Sequence, residues 1–133
     1  MSERPVPRPL KVLIADDSKP IADMLAELLA ERGRVEVVGS AGSETAVVQA
    51  IRELAPDVVV LDLQLSEGSG AGVIRAVRSD PAIARTRILV TSNHVSAPMK
   101  AGCLDLGADD FYDKVKELGA LAARIGEMAD ASG

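Results

Sequence analysis

Four places in the chain carry side chains that could act together: the pair Asp16-Asp17, then Asp62, Thr91 and Lys114. Each closes or follows a short run that reads as a strand. Leu10-Lys11-Val12-Leu13-Ile14-Ala15 precedes Asp16-Asp17, and Pro56-Asp57-Val58-Val59-Val60-Leu61 precedes Asp62. Arg87-Ile88-Leu89-Val90 precedes Thr91, and Asp109-Asp110-Phe111-Tyr112-Asp113, a weaker strand, leads to Lys114. Val58 to Leu61 is apolar throughout and mostly β-branched, the pattern of a strand buried on both faces. If these strands are parallel, their ends share one edge of a sheet, where ligands bind in open α/β folds. Three carboxylates brought together repel one another, and a divalent cation is the natural compensation. An all-oxygen ligand set points to Mg²⁺, with Mn²⁺ as a substitute, rather than to zinc. The lone His94 and lone Cys103 offer zinc little. A metal, an ammonium and a hydroxyl together suit the spread-out negative charge of a phosphoryl group. Asp62 is then the nucleophile and becomes an aspartyl phosphate.

The elements that must hold these residues alternate. After the first strand, Ser18 can cap a helix with Pro20 in its first turn. Ile21, Met24, Leu25, Leu28 and Leu29 recur at helical spacing, and Gly33 stops the run. Val35-Glu36-Val37-Val38 is a short second strand, followed by a helix with Val47, Ile51 and Leu54 on one face, closed by Pro56. Val73, Ile74 and Val77 mark a third helix, broken at Ser79-Asp80-Pro81. A fourth starts at Ser96-Ala97-Pro98, turns Met99, Cys103 and Leu106 inward and stops at Gly107. The last helix buries Leu118, Leu121, Ala122, Ile125 and Met128, is weakened by Gly119 and Gly126, and frays at 130–133. Strand and helix thus alternate five times, which predicts a doubly wound five-stranded parallel sheet with five helices and right-handed crossovers. Two strand orders compete, 3-2-1-4-5 and 2-1-3-4-5. The second is preferred because it sets the acidic ends of the first and third strands side by side.

The bulk properties narrow the class. A length of 133 residues fits one domain, here 10–129, with 1–9 a loose arm rich in proline and charge rather than a signal peptide. One Tyr, one Phe and no Trp leave an aliphatic core. A net charge of −5 argues against a nucleic-acid surface. No apolar run approaches a membrane span, and a single cysteine fits a reducing cytoplasm. Gly68-Ser69-Gly70-Ala71-Gly72 lacks the spacing of a dinucleotide-binding loop. His94 reads as an exposed loop residue, and Arg75, Arg78, Arg85 and Arg87 as a solvated face.

Taken in order and spacing, several motifs resemble the response-regulator receiver domains of two-component signalling. They are Val12-Leu13-Ile14-Ala15-Asp16-Asp17-Ser18, Val58-Val59-Val60-Leu61-Asp62-Leu63, Gly70, Ile88-Leu89-Val90-Thr91-Ser92, Gly107-Ala108-Asp109 and Asp113-Lys114. The resemblance implies a flavodoxin-like fold. It also implies that Asp62 accepts a phosphoryl group from a sensor histidine kinase or a histidine phosphotransfer protein. Asp17, Asp62 and the Gln64 carbonyl would ligate Mg²⁺, with Asp16 acting mainly through water. Thr91 and Lys114 would bind phosphoryl oxygens, and the cradle would be completed near Gln64 and Ser92. Thr91 and the strand-five aromatic, Phe111, would form the switch, and the fourth helix, fifth strand and fifth helix would meet a downstream protein target. Gln64 and Asn93 stand where the family tunes dephosphorylation.

Two positions depart from the family pattern. Val115 follows the lysine where many receivers have proline after a cis peptide, and Ser66 replaces the proline four residues after the acceptor. Both leave the ligands intact and bear on loop geometry. The expected function is that of a stand-alone phosphoacceptor, not an enzyme beyond its own phosphorylation and dephosphorylation. The alternatives are a receiver-like module that binds partners without phosphorylation and a small aspartyl-phosphate phosphohydrolase. The latter usually has a second acid two residues after the nucleophile, where this chain has Gln64.

Overall fold

The computed structural model describes residues 8–132. Of the arm expected at 1–9, residues 1–7 therefore lie outside the described residues. The elements follow in strict alternation: β1 (Leu10–Ala15), α1 (Lys19–Ala30), β2 (Val35–Ala41), α2 (Glu44–Leu54), β3 (Val58–Asp62), α3 (Gly70–Ser79), β4 (Arg87–Ser92), α4 (Ala97–Leu106), β5 (Asp110–Asp113) and α5 (Leu118–Ser132). All strands pair in parallel in the order β2-β1-β3-β4-β5. The preferred strand order, with the acidic ends of β1 and β3 adjacent, is the observed one.

Side-chain alternation along the central strands divides the core into two layers. Val12 and Ile14 of β1 and Val58 and Val60 of β3 pack with Leu25 and Leu29 of α1 and Leu121 and Ile125 of α5. Leu13, Val59, Leu61 and Val90 face the other way, onto Val47 and Ile51 of α2 and Val73, Ile74 and Val77 of α3. Every residue of β3 is buried. Because adjacent residues face opposite layers, Phe111 joins the second cluster and Tyr112 the first. This aliphatic interior keeps the sheet rigid beneath the strand ends that carry the polar groups.

Several local expectations change. Ser18 occupies the position before α1, but its hydroxyl makes no capping bond; its N–H donates instead to Asp16 Oδ1 at 2.8 Å. Met24, Leu54 and Met99, expected on buried faces, are exposed. The buried stripe of α1 is Ala22, Leu25 and Leu29, and α4 buries Cys103 alone among its residues. β2 runs on to Ala41, with an irregularity that skips Val38 between the pairs Val12–Val37 and Leu13–Gly39. β5 begins at Asp110 rather than Asp109. α5 tolerates both glycines and continues to Ser132 instead of fraying at residue 130.

Candidate functional site

The carboxyl edge of the sheet brings the predicted residues together. Ala15 of β1 pairs with Leu61 of β3, so Asp16 and Asp62 follow side by side. Asp62 in turn pairs with Thr91 of β4. Lys114 follows β5, its N–H donating to the Ser92 carbonyl at 2.9 Å. Its side chain runs back over the sheet edge, and its ammonium donates to Asp62 Oδ2 at 2.7 Å and contacts Asp16 Oδ2 at 2.8 Å. Asp16, Asp62, Thr91 and Lys114 are all buried, whereas Asp17 is exposed.

Each charge has a structural reason to stay in place. Asp62 Oδ1 accepts the Gln64 N–H at 3.0 Å, which fixes the carboxylate across the first turn of the loop. Burial pushes the Asp62 carboxyl above its usual range, and Asp16 adds to this; the Lys114 and Gln64 hydrogen bonds oppose the shift without cancelling it. Burial pulls the Lys114 ammonium the other way, but the two carboxylates outweigh it and raise its pKa above the ordinary lysine value. Lys114 therefore stays charged at neutral pH.

Oxygens of Asp16, Asp17 and Asp62 lie within 4.8 Å of one another. Three carboxylates against one ammonium leave two negative charges, which a divalent cation would balance. The donor set is all oxygen, as Mg²⁺ and Mn²⁺ prefer. Asp17, facing solvent, leaves room for the waters that such a cation retains. The residues present thus fit a hard divalent ion.

The remaining predicted residues are distributed around this centre. Thr91 lies beside Asp62, with its side chain in no hydrogen bond among the described residues. Ser92 is buried, and its hydroxyl is engaged in a turn, donating to the His94 carbonyl at 2.9 Å and accepting the His94 N–H at 3.1 Å. Gln64 and Asn93 are exposed at the rim, and Phe111 is buried beneath β4 and β5. The Lys114–Val115 peptide is trans, and no cis peptide occurs among the described residues. In place of a proline, Asp113 organises this turn. Its Oδ1 accepts the N–H groups of Val115 and Lys116 at 2.7 and 3.0 Å, while the Asp113 N–H donates to Glu117 Oε1 at 2.9 Å. These backbone donors lower the Asp113 pKa.

Two contributors escaped the sequence reading. Asp113 stands in the sequence as the end of a weak strand and as half of the Asp113-Lys114 motif, with no role of its own in the turn that follows. The sequence pattern places Arg78 on a solvated face. It is instead a clamp: Nε donates to the Gly107 carbonyl at 2.8 Å, and Nη1 to the Ala84 and Thr86 carbonyls at 2.7 and 2.6 Å. Nη2 reaches Asp109 Oδ2 at 3.0 Å. Nothing in local spacing announces those distant acceptors. A cavity of about 490 Å³ lies at the opposite edge of the sheet among Leu10, Pro56, Val58, Ile83 and Arg87.

Fold and edge together define a class, a doubly wound α/β domain in which a buried lysine closes an acidic centre. The family profile described as the response regulator receiver domain matches residues 12–126, and the chain belongs to this family. It is 45% identical over 102 residues to protein-glutamate methylesterase/protein-glutamine glutaminase 3 of Myxococcus xanthus, covering 77% of this chain and 27% of that protein. The chain spans about a third of the length of the curated relatives it matches. The solved receiver domain of NarL from Mycobacterium tuberculosis superposes with a TM-score of 0.83 at 29% identity, over 93% of this chain and 98% of that one. The response regulator domain of Thermotoga maritima CheB has the same fold, with a TM-score of 0.79 at 24% identity over 94% and 96% of the two chains.

Proposed function

We propose that this chain is a phosphoacceptor that signals through regulated binding. The observation that carries the reading is the Lys114 ammonium held between Asp16 and Asp62, with Thr91 in register beside the acceptor. An Asp62 carboxylate oxygen forms a bond to phosphorus as the donor's P–N bond breaks. The electron pair leaves on the histidine nitrogen of a sensor kinase or phosphotransfer protein, which regains a proton. Lys114 and the Thr91 hydroxyl bind phosphoryl oxygens, lowering the energy of charge that spreads over them in the transition state. Asp17, Asp62 and the Gln64 carbonyl would hold Mg²⁺, with Asp16 acting through water; bound there, the ion would neutralise the carboxylates and the incoming phosphoryl group.

The new acyl phosphate draws Thr91 toward it, and Phe111 answers on the neighbouring strand. The surface of α4, β5 and α5 then changes its affinity for a downstream protein. The chain's own chemistry is limited to taking up and losing the phosphoryl group in the cytoplasm. Gln64 and Asn93, exposed at the rim, orient the water that ends the signal; Gln64→Ala would lengthen the phosphate lifetime, read from decay of the phosphorylated mass.

The test is intact mass after incubation with acetyl phosphate, with and without Mg²⁺, beside Asp62→Asn. A metal-dependent gain of one phosphoryl group, absent in the variant, is expected. The phosphorylation-independent reading takes over if the wild type gains nothing and also fails to bind beryllofluoride.

A further inference from the structure

Ser66 stands where a proline would stiffen the loop after the acceptor, so something else must hold that loop. The segment Ala41 to Glu44, between β2 and α2, touches both sides of the acidic centre. On one side the Asp16 N–H donates to the Ala41 carbonyl at 3.0 Å, and a Cβ on Gly42 would lie 3.2 Å from Asp17 Cα. On the other, the Ser66 N–H and Oγ both donate to the Gly42 carbonyl, at 2.9 and 2.8 Å. The Glu44 N–H donates to the Glu67 carbonyl at 2.9 Å, and Glu44 Oε1 accepts the Ser69 N–H at 2.9 Å.

The space around that carboxylate is reserved for it. A Cβ on Gly68 or on Gly72 would collide with the Glu44 side chain. Gly72 lies in the first turn of α3, where alanine would otherwise be the better helix former. Gly68 has φ +80°, a conformation glycine adopts readily. Gly68 and Gly72 thus form a seat for Glu44.

We infer that Glu44 is a positioning residue, which locks the loop carrying Gln64 against Asp16-Asp17 and thereby sets the cation affinity of the acidic centre. The inference rests on the phosphoacceptor reading for its biological meaning, but Glu44 touches neither metal nor phosphate. It acts through the Ser69 amide, and the Ser66 hydrogen bonds to Gly42 complete the bridge.

The experiment measures Mn²⁺ affinity of the full chain by electron paramagnetic resonance of the free ion. Glu44→Ala is expected to weaken binding about tenfold, the usual scale for a residue supporting metal ligands. Glu44→Gln keeps an oxygen for the Ser69 N–H and should restore binding. Gly72→Ala should weaken it by displacing Glu44, although it favours the helix, and this variant keeps the test decisive if Glu44→Ala fails to fold. Wild-type affinity in Gly72→Ala or Glu44→Ala overturns the inference. So does a Glu44→Gln variant as weak as Glu44→Ala, because charge rather than position would then be responsible. Acetyl phosphate treatment of the wild type separates the two ideas: failure there removes the phosphoacceptor reading, while the Mn²⁺ series still decides the role of Glu44.

Discussion

Asp62 and Lys114 hold each other at 2.7 Å, yet their energetic roles in folding are opposite. The raised Asp62 pKa means that burial costs the carboxylate more than its partners return. A carboxyl with a folded pKa above its unfolded value favours the folded state at low pH and loses that contribution as pH rises through the folded pKa. At pH 7 the ionised group is therefore a net burden. Asp62→Asn should raise the urea midpoint at pH 7, by a margin that shrinks as the pH falls toward 4. Lys114→Met should do the reverse. Removing the ammonium leaves Asp16 and Asp62 buried and unpaired, and breaking such a buried ion pair costs about 3–5 kcal/mol. Adding Asp62→Asn to Lys114→Met should recover part of the loss, the coupling expected of residues in contact. A second titration is isolated by composition, because Tyr112 is the one tyrosine and the chain has no tryptophan. Burial, then the charge of Asp110 and its hydrogen bond at 3.1 Å, push the phenol up to about 12. Tyrosinate absorbance of the folded chain should rise with a midpoint near that value instead of near 10. The folded state holds this proton longer than the unfolded one, so stability falls as pH climbs from about 10 to 12, by about 2.7 kcal/mol if the fold survives. A midpoint near 10 would show that the ring is not held against Asp110.

Arg78 shows how one side chain joins elements that its sequence neighbours do not suggest. From α3 it binds the segment entering β4 through Ala84 and Thr86, and the α4–β5 turn through Gly107 and Asp109. Asp109 also accepts the Ile88 N–H at 2.7 Å, so the clamp continues into the sheet. A solvated arginine would be replaceable within about 0.5 kcal/mol. Arg78→Met should instead cost on the order of 2–4 kcal/mol in urea unfolding, since it strands several acceptors at once. Lysine should rescue little, because one ammonium cannot reproduce the guanidinium fork. The same scale shows where pattern reading falls short. Helical spacing located α1 and α4, but it could not tell which rim positions of the apolar stripe meet a neighbour. Met24 and Met99 sit on those rims and face solvent. The end of α5 was equally illegible: Asp130, Ala131 and Ser132 have no strong preference to stop, and the helix runs on past the expected limit. Departures from the family pattern were visible as residues, Ser66 and Val115, but their replacements were not. Those are hydrogen bonds from Ser66 to the Gly42 carbonyl and from the Val115 N–H to the Asp113 carboxylate, whose partners become known only when the loops are folded.

At the scale of the molecule, topology and chemistry explain each other. Alternating strands and helices left two sheet orders open, and only one of them puts β1 beside β3. The acidic residues distinguished them, because Asp16 and Asp62 become neighbours only in the observed order. Burial on both faces made β3 readable, and a carboxylate at its end was the anomaly that pointed to the site. This arrangement has a consequence for the stability of the whole domain. An ion held by this acidic cluster would bind the folded chain alone, since the unfolded chain cannot keep Asp16, Asp17 and Asp62 together. Mg²⁺ at a hundred times its dissociation constant should therefore stabilise the domain by about 2.7 kcal/mol. Asp17 is the discriminating position. Its exposure means that Asp17→Asn should change metal-free stability by no more than about 0.5 kcal/mol. Yet it removes a proposed Mg²⁺ ligand, so the upward shift in melting temperature on adding Mg²⁺ should nearly vanish. Equal shifts in wild type and Asp17→Asn would show that Mg²⁺ acts by screening the net charge of −5 rather than by occupying the carboxyl edge of the sheet.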